Sequence, residues 1–271
     1  IIVYDRIISN GIIEIPLMRE SLPLEKLLLC AEGGISPAMY KKEAKNLFYI
    51  CSSIFQRNYR IYVLEILVTA LEAAIEHHII KYRGIKLDYQ SFAVNPSLFM
   101  CESADIFMDI IEEPLERIEF GEGPYDFAGI TVEENDVVFD IGANFGLFSA
   151  VAASKARKGK VYAFEPVKET RKILKHTADL YDNIIIEPYA ISNICGKSKI
   201  DLSTYDFNQG EASVMTVNGS STKTDEVKTI TLDQFVKTTH ISRIDFVEAD
   251  IEGAERLLLS GAKEVLQKFA P

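Results

Sequence analysis

An apolar strand followed by a turn of small residues is the part of this sequence best suited to bind a ligand. The run Val138–Ile141 is apolar apart from Asp140, and the turn Gly142-Ala143-Asn144 comes directly after it. Glu165 ends a second apolar run, 19 residues beyond Gly146. That spacing suits a carboxylate that accepts hydrogen bonds from ribose hydroxyls in a Rossmann-like βαβ unit.

The turn departs from the Gly-x-Gly-x-x-Gly pattern with which dinucleotide enzymes hold a pyrophosphate. Asn144 stands where the second glycine would be, and it makes close approach of a phosphate to the backbone harder. A ligand without phosphates fits better, and S-adenosylmethionine is such a ligand. Its ammonium group could bind Asp140, directly or through water, while its ribose reaches Glu165. The alternatives are strand–helix packing for Gly142 and Gly146, and a helix-capping surface carboxylate for Glu165.

A third predicted strand leads into residues 188–192, where an adenine ring could stack on apolar side chains. We therefore predict Ala190 and Ile191 as cofactor-binding residues. The pattern is equally consistent with core positions for Tyr189 and Ile191.

Carboxylates cluster after the last predicted strand, which delivers Asp250 and Glu252 to the carboxyl edge of the sheet. Alternation places Glu248 on the same side if the strand continues that far. Three carboxylates so close raise each other's pKa or attract a cation, and either outcome suits proton abstraction from a hydroxyl group. We predict Asp250 and Glu252 as catalytic residues and no metal ligand. The alternative is that Glu252 or Glu255 complements the N-terminal end of the following helix.

Short β-branched runs alternate with helix-length segments from Tyr125 onward, which is typical of βαβ units and a largely parallel sheet. The predicted strands are Val137–Ile141, Lys160–Phe164, Ile184–Glu187, Lys199–Leu202 and Ile244–Ala249. The predicted helices are Gly146–Ala156, Lys168–Tyr181, Leu232–Thr238 and Ala254–Phe269. Residues Asp206 to Lys228 are rich in Ser, Thr, Asn and Gly, which predicts a hairpin tip or a mobile loop, with a lid as its functional form.

The amino-terminal part of the chain has a different pattern. Apolar residues recur at helical spacing from about Ser36 to Lys81, and Gly and Pro punctuate the sequence near Gly121–Pro124. We predict a mainly helical accessory region over residues 1–122 and an α/β domain over residues 123–271. The helices either cap the substrate side or form a homo-oligomer, and the sequence does not choose between the two.

Composition excludes several classes of function. Lys and Arg number 29 against 40 Asp and Glu, and the net charge of −11 argues against nucleic-acid and anionic-membrane partners. The four cysteines contain no Cys-x-x-Cys pair, so we expect reduced, buried thiols and neither a zinc site nor disulfides.

Glu65 and Glu72 interrupt the longest apolar stretch, so no transmembrane helix is predicted and a cytoplasmic location is expected. The chain begins at Ile1 rather than Met, from which we expect a fragment.

Several segments together resemble the FkbM-like methyltransferases, a branch of the class I S-adenosylmethionine-dependent enzymes. They are Val138–Ser149 (VFDIGANFGLFS), Val161–Pro166 (VYAFEP), Thr231–Asp233 (TLD) and Asp250–Glu255 (DIEGAE) with Gly261-Ala262 beyond. The resemblance covers about Tyr125 to Pro271 and implies a Rossmann-like class I sheet with helices on both faces. It also implies cofactor contacts from Asp140, Gly142, Asn144 and Glu165, with Asp250 and Glu252 near the methyl group and its acceptor.

Members of this family typically methylate hydroxyl or related groups on sugars and secondary metabolites, so the resemblance implies O-methylation of a small-molecule or glycan acceptor. The chain departs from the family at two places. Glu248 replaces a lysine that is usual two residues before the aspartate of the DxEGxE segment. The family pattern also continues past a proline into another strand, whereas this sequence stops at Pro271, so we expect its carboxyl-terminal end to be truncated.

Three alternatives remain open at this point. A non-catalytic S-adenosylmethionine-binding or assembly protein of the same fold is consistent with Glu248. A nicotinamide-dependent oxidoreductase is disfavoured by the missing middle glycine. A metal-dependent methyltransferase would need Glu248, Asp250 and Glu252 to hold a hard cation through oxygen ligands.

Overall fold

The computed structural model describes residues 70, 73, 78–82, 84–94, 131–201, 224–251 and 253–270. The chain divides into two compact units, and the one that holds the predicted α/β domain comprises Gly84–Leu87 and Tyr125–Pro271. Most of the predicted helical region lies outside the described residues, as does the predicted boundary between residues 122 and 123. Both stay predictions.

The described residues form short strands and helices that alternate along most of the chain. The first are β1 (Ile80–Tyr82), β2 (Ile85–Leu87), α1 (Tyr89–Val94), β3 (Val137–Ile141), α2 (Leu147–Lys155), β4 (Lys160–Phe164), α3 (Lys168–Ala178) and β5 (Ile184–Glu187). They are followed by β6 (Tyr189–Ile191), β7 (Gly196–Asp201), β8 (Thr224–Ile230), α4 (Leu232–Thr239), β9 (Phe246–Ala249), α5 (Glu255–Ser260) and α6 (Lys263–Phe269).

Four parallel strands form the central sheet, in the order β5-β4-β3-β9. Strands β3, β4 and β5 have the predicted bounds, because each is a short apolar run. Parallel neighbours need a crossover connection, which α2 supplies between β3 and β4 and α3 supplies between β4 and β5. The predicted α/β architecture with a parallel sheet is confirmed, and the carboxyl ends of its strands lie at one edge.

Both faces of this sheet are buried by side chains that alternate along the strands. On one face, Phe139 and Phe164 pack against Phe235 of α4, with ring centroids 5.9 and 4.8 Å away. Leu258 of α5 and Val265 of α6 belong to the same apolar cluster. The other face is covered in part by α3.

Ala163 of β4 packs with Leu174 of α3 and with Ala143 of the turn after β3. Ala163 neighbours Phe164 along the strand, so this contact lies on the opposite face from the aromatic cluster. Leu174 is fully buried. The small side chains of Ala143 and Ala163 let α3 approach the end of the sheet where the candidate site lies.

A second sheet holds β6, β8 and β7 in that order, with β6 parallel and β7 antiparallel to β8. The predicted loop from Asp206 to Lys228 is therefore wrong over residues 224–228, which belong to β8. Buried Val227 and Thr229 alternate there with exposed neighbours, as in a strand that covers one apolar face. The composition concealed this strand because Thr is frequent in strands as well as in loops. Residues 202–223 lie outside the described part.

The helix predicted over Ala254–Phe269 is two helices, α5 and α6, which meet at Gly261. A Cβ at position 261 would lie 2.2 Å from the Ser192 carbonyl oxygen, so only glycine permits this approach. The Asp233 carboxylate accepts the backbone N–H groups of Glu264 and Val265 at 3.2 and 2.9 Å, which caps α6. The Thr231–Asp233 segment and the Gly261-Ala262 segment, which are far apart in the sequence, thus lie next to each other in the fold.

Candidate functional site

The turn after β3 is fixed to the end of β4. The N–H groups of Gly142 and Ala143 both donate to the Phe164 carbonyl, each at 3.0 Å. Gly142 has φ +102° and Asn144 has φ +47°, a left-handed conformation that Asn tolerates better than most residues. The turn therefore has a defined shape at the carboxyl edge of the sheet, where open α/β sheets bind ligands.

Gly142 and Gly146 are both sites of close approach. A Cβ at position 142 would lie 2.0 Å from the Asp250 carbonyl oxygen, and a Cβ at position 146 would lie 2.5 Å from Cδ1 of Leu174. Packing thus accounts for Gly146, as the alternative interpretation of the sequence has it. Gly142 matters for the site as well, because its lack of a side chain lets the end of β9 contact the turn.

Glu165 lies beside the same turn, at the end of β4. Its carboxylate accepts hydrogen bonds from the N–H of Asn144 at 3.2 Å and from the N–H of Val167 at 2.7 Å. Burial raises the pKa of Glu165 to about 7, although these two hydrogen bonds and the Arg171 charge lower it. A carboxylate has about four acceptor positions, so capacity for two ribose hydroxyls remains beside the two backbone donors.

Arg171 is a residue that sequence reasoning missed. Its Nη1 donates to the carbonyl oxygens of Glu165 and Pro166, at 2.8 and 2.7 Å. Its position near the start of α3 could have revealed it. A positive charge there is unfavourable for the helix dipole, so an arginine at this place indicates a further interaction. The guanidinium holds the segment after β4, and with it the Glu165 side chain, against α3.

Asp140 is the most enclosed carboxyl group of the site. It is 1% exposed, and the Ser149 hydroxyl of α2 donates to its Oδ2. It lies in register with Glu248 on the neighbouring strand β9, and the two side chains are hydrogen-bonded. Burial raises the pKa of Asp140 to about 6, the contacts with Ser149 and Glu248 lower it, and the charge of Asp250 raises it. Sequence reasoning missed Ser149, although a polar residue inside an apolar helix is a usable signal.

Asp250 follows the end of β9 and is exposed, whereas Glu248 is buried. The Asp250 N–H donates to the Ile141 carbonyl at 3.1 Å, which holds the two strand ends together. Glu252, the second residue predicted as catalytic, lies outside the described residues. Its role stays a prediction, as does that of Asp250.

Ala190 and Ile191 are buried in β6, in two different apolar clusters. Ile191 packs with Phe139, Phe164 and other members of the aromatic face, and Ala190 packs with Val167, Ile200 and Val227. Their side chains serve as core residues, which for Ile191 is one of the two interpretations that the sequence leaves open. Contact with an adenine ring stays a prediction.

Three further expectations from the sequence concern metal sites, cysteines and membrane-spanning helices. Within the described ranges, no group of three or more His, Cys, Asp or Glu side chains is placed to hold a metal ion. Cys195 is a free, exposed thiol, so the expectation of buried cysteines is wrong for this residue. The other three cysteines lie outside the described part. Among the helices the structure describes, none is long and apolar enough to cross a membrane.

The fold and the candidate site together define an α/β domain with a glycine-containing turn and carboxyl groups at the carboxyl edge of a parallel sheet. Residues 140–271 match the methyltransferase FkbM domain. Residues 140–271, just under half of the chain, therefore form a methyltransferase FkbM domain, and the family resemblance predicted from the sequence is confirmed for these residues.

Two curated proteins show what this chain is similar to. It is 32% identical to the hexuronic acid methyltransferase AglP of Haloferax volcanii over 136 residues, which is 50% of this chain and 53% of that protein. It is 42% identical to the AMB antimetabolite synthetase AmbE of Pseudomonas aeruginosa over 57 residues, which is 21% of this chain and 3% of that protein. The chain thus spans about half the length of AglP and a small part of AmbE.

One solved structure is also similar. The crystal structure of methyltransferase FkbM from Methylobacillus flagellatus KT aligns over 83% of this chain and 45% of that chain, with a TM-score of 0.39 and 15% sequence identity.

Proposed function

We propose that this protein transfers a methyl group from S-adenosylmethionine to a hydroxyl group of a sugar or a secondary metabolite. The observation that carries the proposal is the placement of two buried carboxyl groups, Asp140 and Glu165, on either side of the Gly142 turn in a domain of the FkbM family. In this proposal the domain is a Rossmann-like class I methyltransferase.

The side chains beside the turn fit this cofactor. Asp140 would hold the ammonium group of its amino acid part, and Glu165 would accept hydrogen bonds from its ribose hydroxyls. Asn144, with φ +47°, occupies the place of the second glycine of a dinucleotide turn, which disfavours a pyrophosphate. The cofactor supplies a methyl group activated by a positively charged sulfur. The protein then has to orient the acceptor and remove one proton.

Asp250 is suited to remove that proton, because it is exposed at the carboxyl edge while its main chain is fixed by Gly142 and Ile141. A carboxylate held within hydrogen-bond reach of the acceptor hydroxyl acts as a general base. Glu252, two residues later, is the second candidate. Holding the acceptor in line with the methyl group supplies much of the acceleration in reactions of this type.

The relative AglP is a hexuronic acid methyltransferase, and this supports a sugar as the acceptor here. A hexuronic acid offers both hydroxyl groups and a carboxylate. We propose a hydroxyl as the methylated group, because the carboxyl groups on this side of the sheet can accept a proton and would repel an anionic acceptor group.

Calorimetry with S-adenosylhomocysteine tests the cofactor assignment. We expect wild-type protein to bind it and Glu165→Ala to bind at least tenfold more weakly, since two ribose hydrogen bonds to a carboxylate are lost. Glu169→Gln is a matched control, because Glu169 is an exposed glutamate of α3 that pairs with Lys172. Absence of binding to the wild-type protein, or equal binding by Glu165→Ala, would contradict the assignment.

Transfer of a labelled methyl group to a panel of neutral sugars and hexuronic acids then tests turnover. Methylation of at least one hydroxyl-bearing acceptor is the expected result. Cofactor binding without transfer to any acceptor would instead favour a non-catalytic binding or assembly protein of the same fold.

A further inference from the structure

Asp140 and Glu248 form a buried pair of carboxyl groups on two adjacent parallel strands. Residue 140 of β3 is the register partner of residue 248 of β9, so both side chains project from the same face of the sheet. They are 1% and 7% exposed, and they are hydrogen-bonded to each other. The pair lies directly below the Gly142 turn, because Gly142 is two residues beyond Asp140.

Such a contact requires a proton. Two ionised carboxylates contain only acceptors, so a hydrogen bond between them exists only when one of them is protonated. Without that proton, two negative charges would face each other in a site with little water, which is costly. The pair is therefore a carboxylic acid bound to a carboxylate, with one negative charge shared between them.

The groups around the pair favour retention of this proton. From the end of β9, Asp250 adds a negative charge, and from the end of β4, Glu165 adds another once the pH rises through its pKa of about 7. From α2, the neutral Ser149 hydroxyl donates a hydrogen bond to Asp140. The cation Arg171 of α3 contacts the backbone at Glu165 rather than Asp140. The surroundings thus repel a second negative charge on the pair.

We propose that Glu248 is a positioning residue, which shares one proton with Asp140 in the free protein and releases it when the cofactor's ammonium group binds beside Asp140. The inference rests on the proposed function. In the step, the carboxyl O–H bond of the pair breaks, the proton passes to solvent, and the pair keeps both electrons. The positive charge of the ammonium then offsets the second negative charge.

This role follows from the residue type at position 248. A lysine there would form an ion pair with Asp140 and would leave no proton to exchange. Glu248 instead makes cofactor binding dependent on pH and coupled to proton release. The test therefore compares Glu248→Gln, which keeps the shape and the hydrogen bond, with Glu248→Lys, which places a cation beside Asp140.

Calorimetry with S-adenosylhomocysteine between pH 5.5 and 8.5, in pairs of buffers with different ionisation enthalpies, measures the protons released. We expect wild-type protein to release a fraction of a proton that is largest near pH 6, and its affinity should rise most steeply at the same pH, by less than about tenfold per pH unit. Glu248→Gln should release less than half as many protons and show a flatter affinity profile. Glu248→Lys should bind at least tenfold more weakly, because its ammonium competes for Asp140.

Glu169→Gln, the exposed control, should follow the wild-type profile. Equal proton release by Glu248→Gln and wild type would overturn the inference while leaving the proposed function intact. Failure of the wild-type protein to bind at any pH would overturn the proposed function and this inference with it. The two failures are therefore distinguishable.

A second measurement does not need a ligand or a variant. Carbon-13 NMR of the carboxyl groups in the unliganded 271-residue chain should show one proton retained by Asp140 and Glu248 together near pH 5.5. Complete ionisation of both groups below pH 5 would overturn the inference. This readout also covers the case in which a substituted protein does not fold.

Discussion

Gly142 lies directly against the main chain of Asp250, since a Cβ at position 142 would be 2.0 Å from the Asp250 carbonyl oxygen. This contact joins the turn after β3 to the end of β9. The Asp250 N–H also donates to the Ile141 carbonyl at 3.1 Å. The proposed general base is thus positioned by the same glycine that begins the turn of the candidate site.

Gly142→Ala should lower the free energy of unfolding by at least about 2 kcal/mol, because it adds both a clash and a strained φ of +102°. Gly84→Ala is the matched control. Gly84 has φ +85°, but a Cβ at position 84 would have no atom within 4 Å, so that variant carries the backbone strain alone. Urea unfolding measures both variants. A loss for Gly142→Ala no larger than that for Gly84→Ala would show that the contact with Asp250 is unimportant.

The carboxylate of Glu165 should make stability depend on pH. Its pKa is raised from 4.5 to about 7, so its contribution to stability is fully present below about pH 4.5 and is lost as the pH rises through about 7. Between these limits, the free energy of unfolding of wild type should fall relative to Glu165→Gln by on the order of 3 kcal/mol. Urea unfolding at several pH values measures it. A constant difference between the two proteins would contradict the raised pKa.

Asp233→Ala should weaken the fold without weakening the site. The substitution removes the acceptor for the N–H groups of Glu264 and Val265, and loss of such a cap costs about 0.5–2 kcal/mol. Asp233→Asn keeps one acceptor oxygen and should recover part of the loss. Binding of S-adenosylhomocysteine, measured by calorimetry on the folded variants, should stay within twofold of wild type. A large loss of binding with unchanged stability would point instead to a direct role in the site.

Asp250→Asn should distinguish between two kinds of acceptor group. If a hydroxyl is methylated, the missing base should lower kcat by about 10²–10⁴-fold while the affinity for S-adenosylhomocysteine changes little. An ionised carboxylate acceptor has no proton to lose, so its methylation should be nearly insensitive to this substitution. Steady-state rates with neutral sugars and with hexuronic acids measure the difference.

Local sequence determined the parts of this fold that depend on neighbouring residues. Strands β3, β4 and β5 are apolar runs bounded by polar or small residues, and their predicted bounds agree with the structure. The segments that resemble the FkbM family were also visible, and residues 140–271 match that family. Gly142 and Glu165 were expected at one edge of the sheet, and they lie there, because one βαβ unit fixes the spacing between a glycine turn and a carboxylate.

Only the tertiary structure decided which side chains meet across the sheet. The β8 strand has a loop-like composition and forms because β6 and β7 pair with it. Asp140 and Glu248 are far apart in the sequence, and their contact depends on the register between β3 and β9. Strand register is set by packing of the whole sheet, since a slip by one residue would turn each side chain to the other face. The sequence therefore indicated the carboxyl groups of the candidate site, and the sheet decided that two of them share a buried contact.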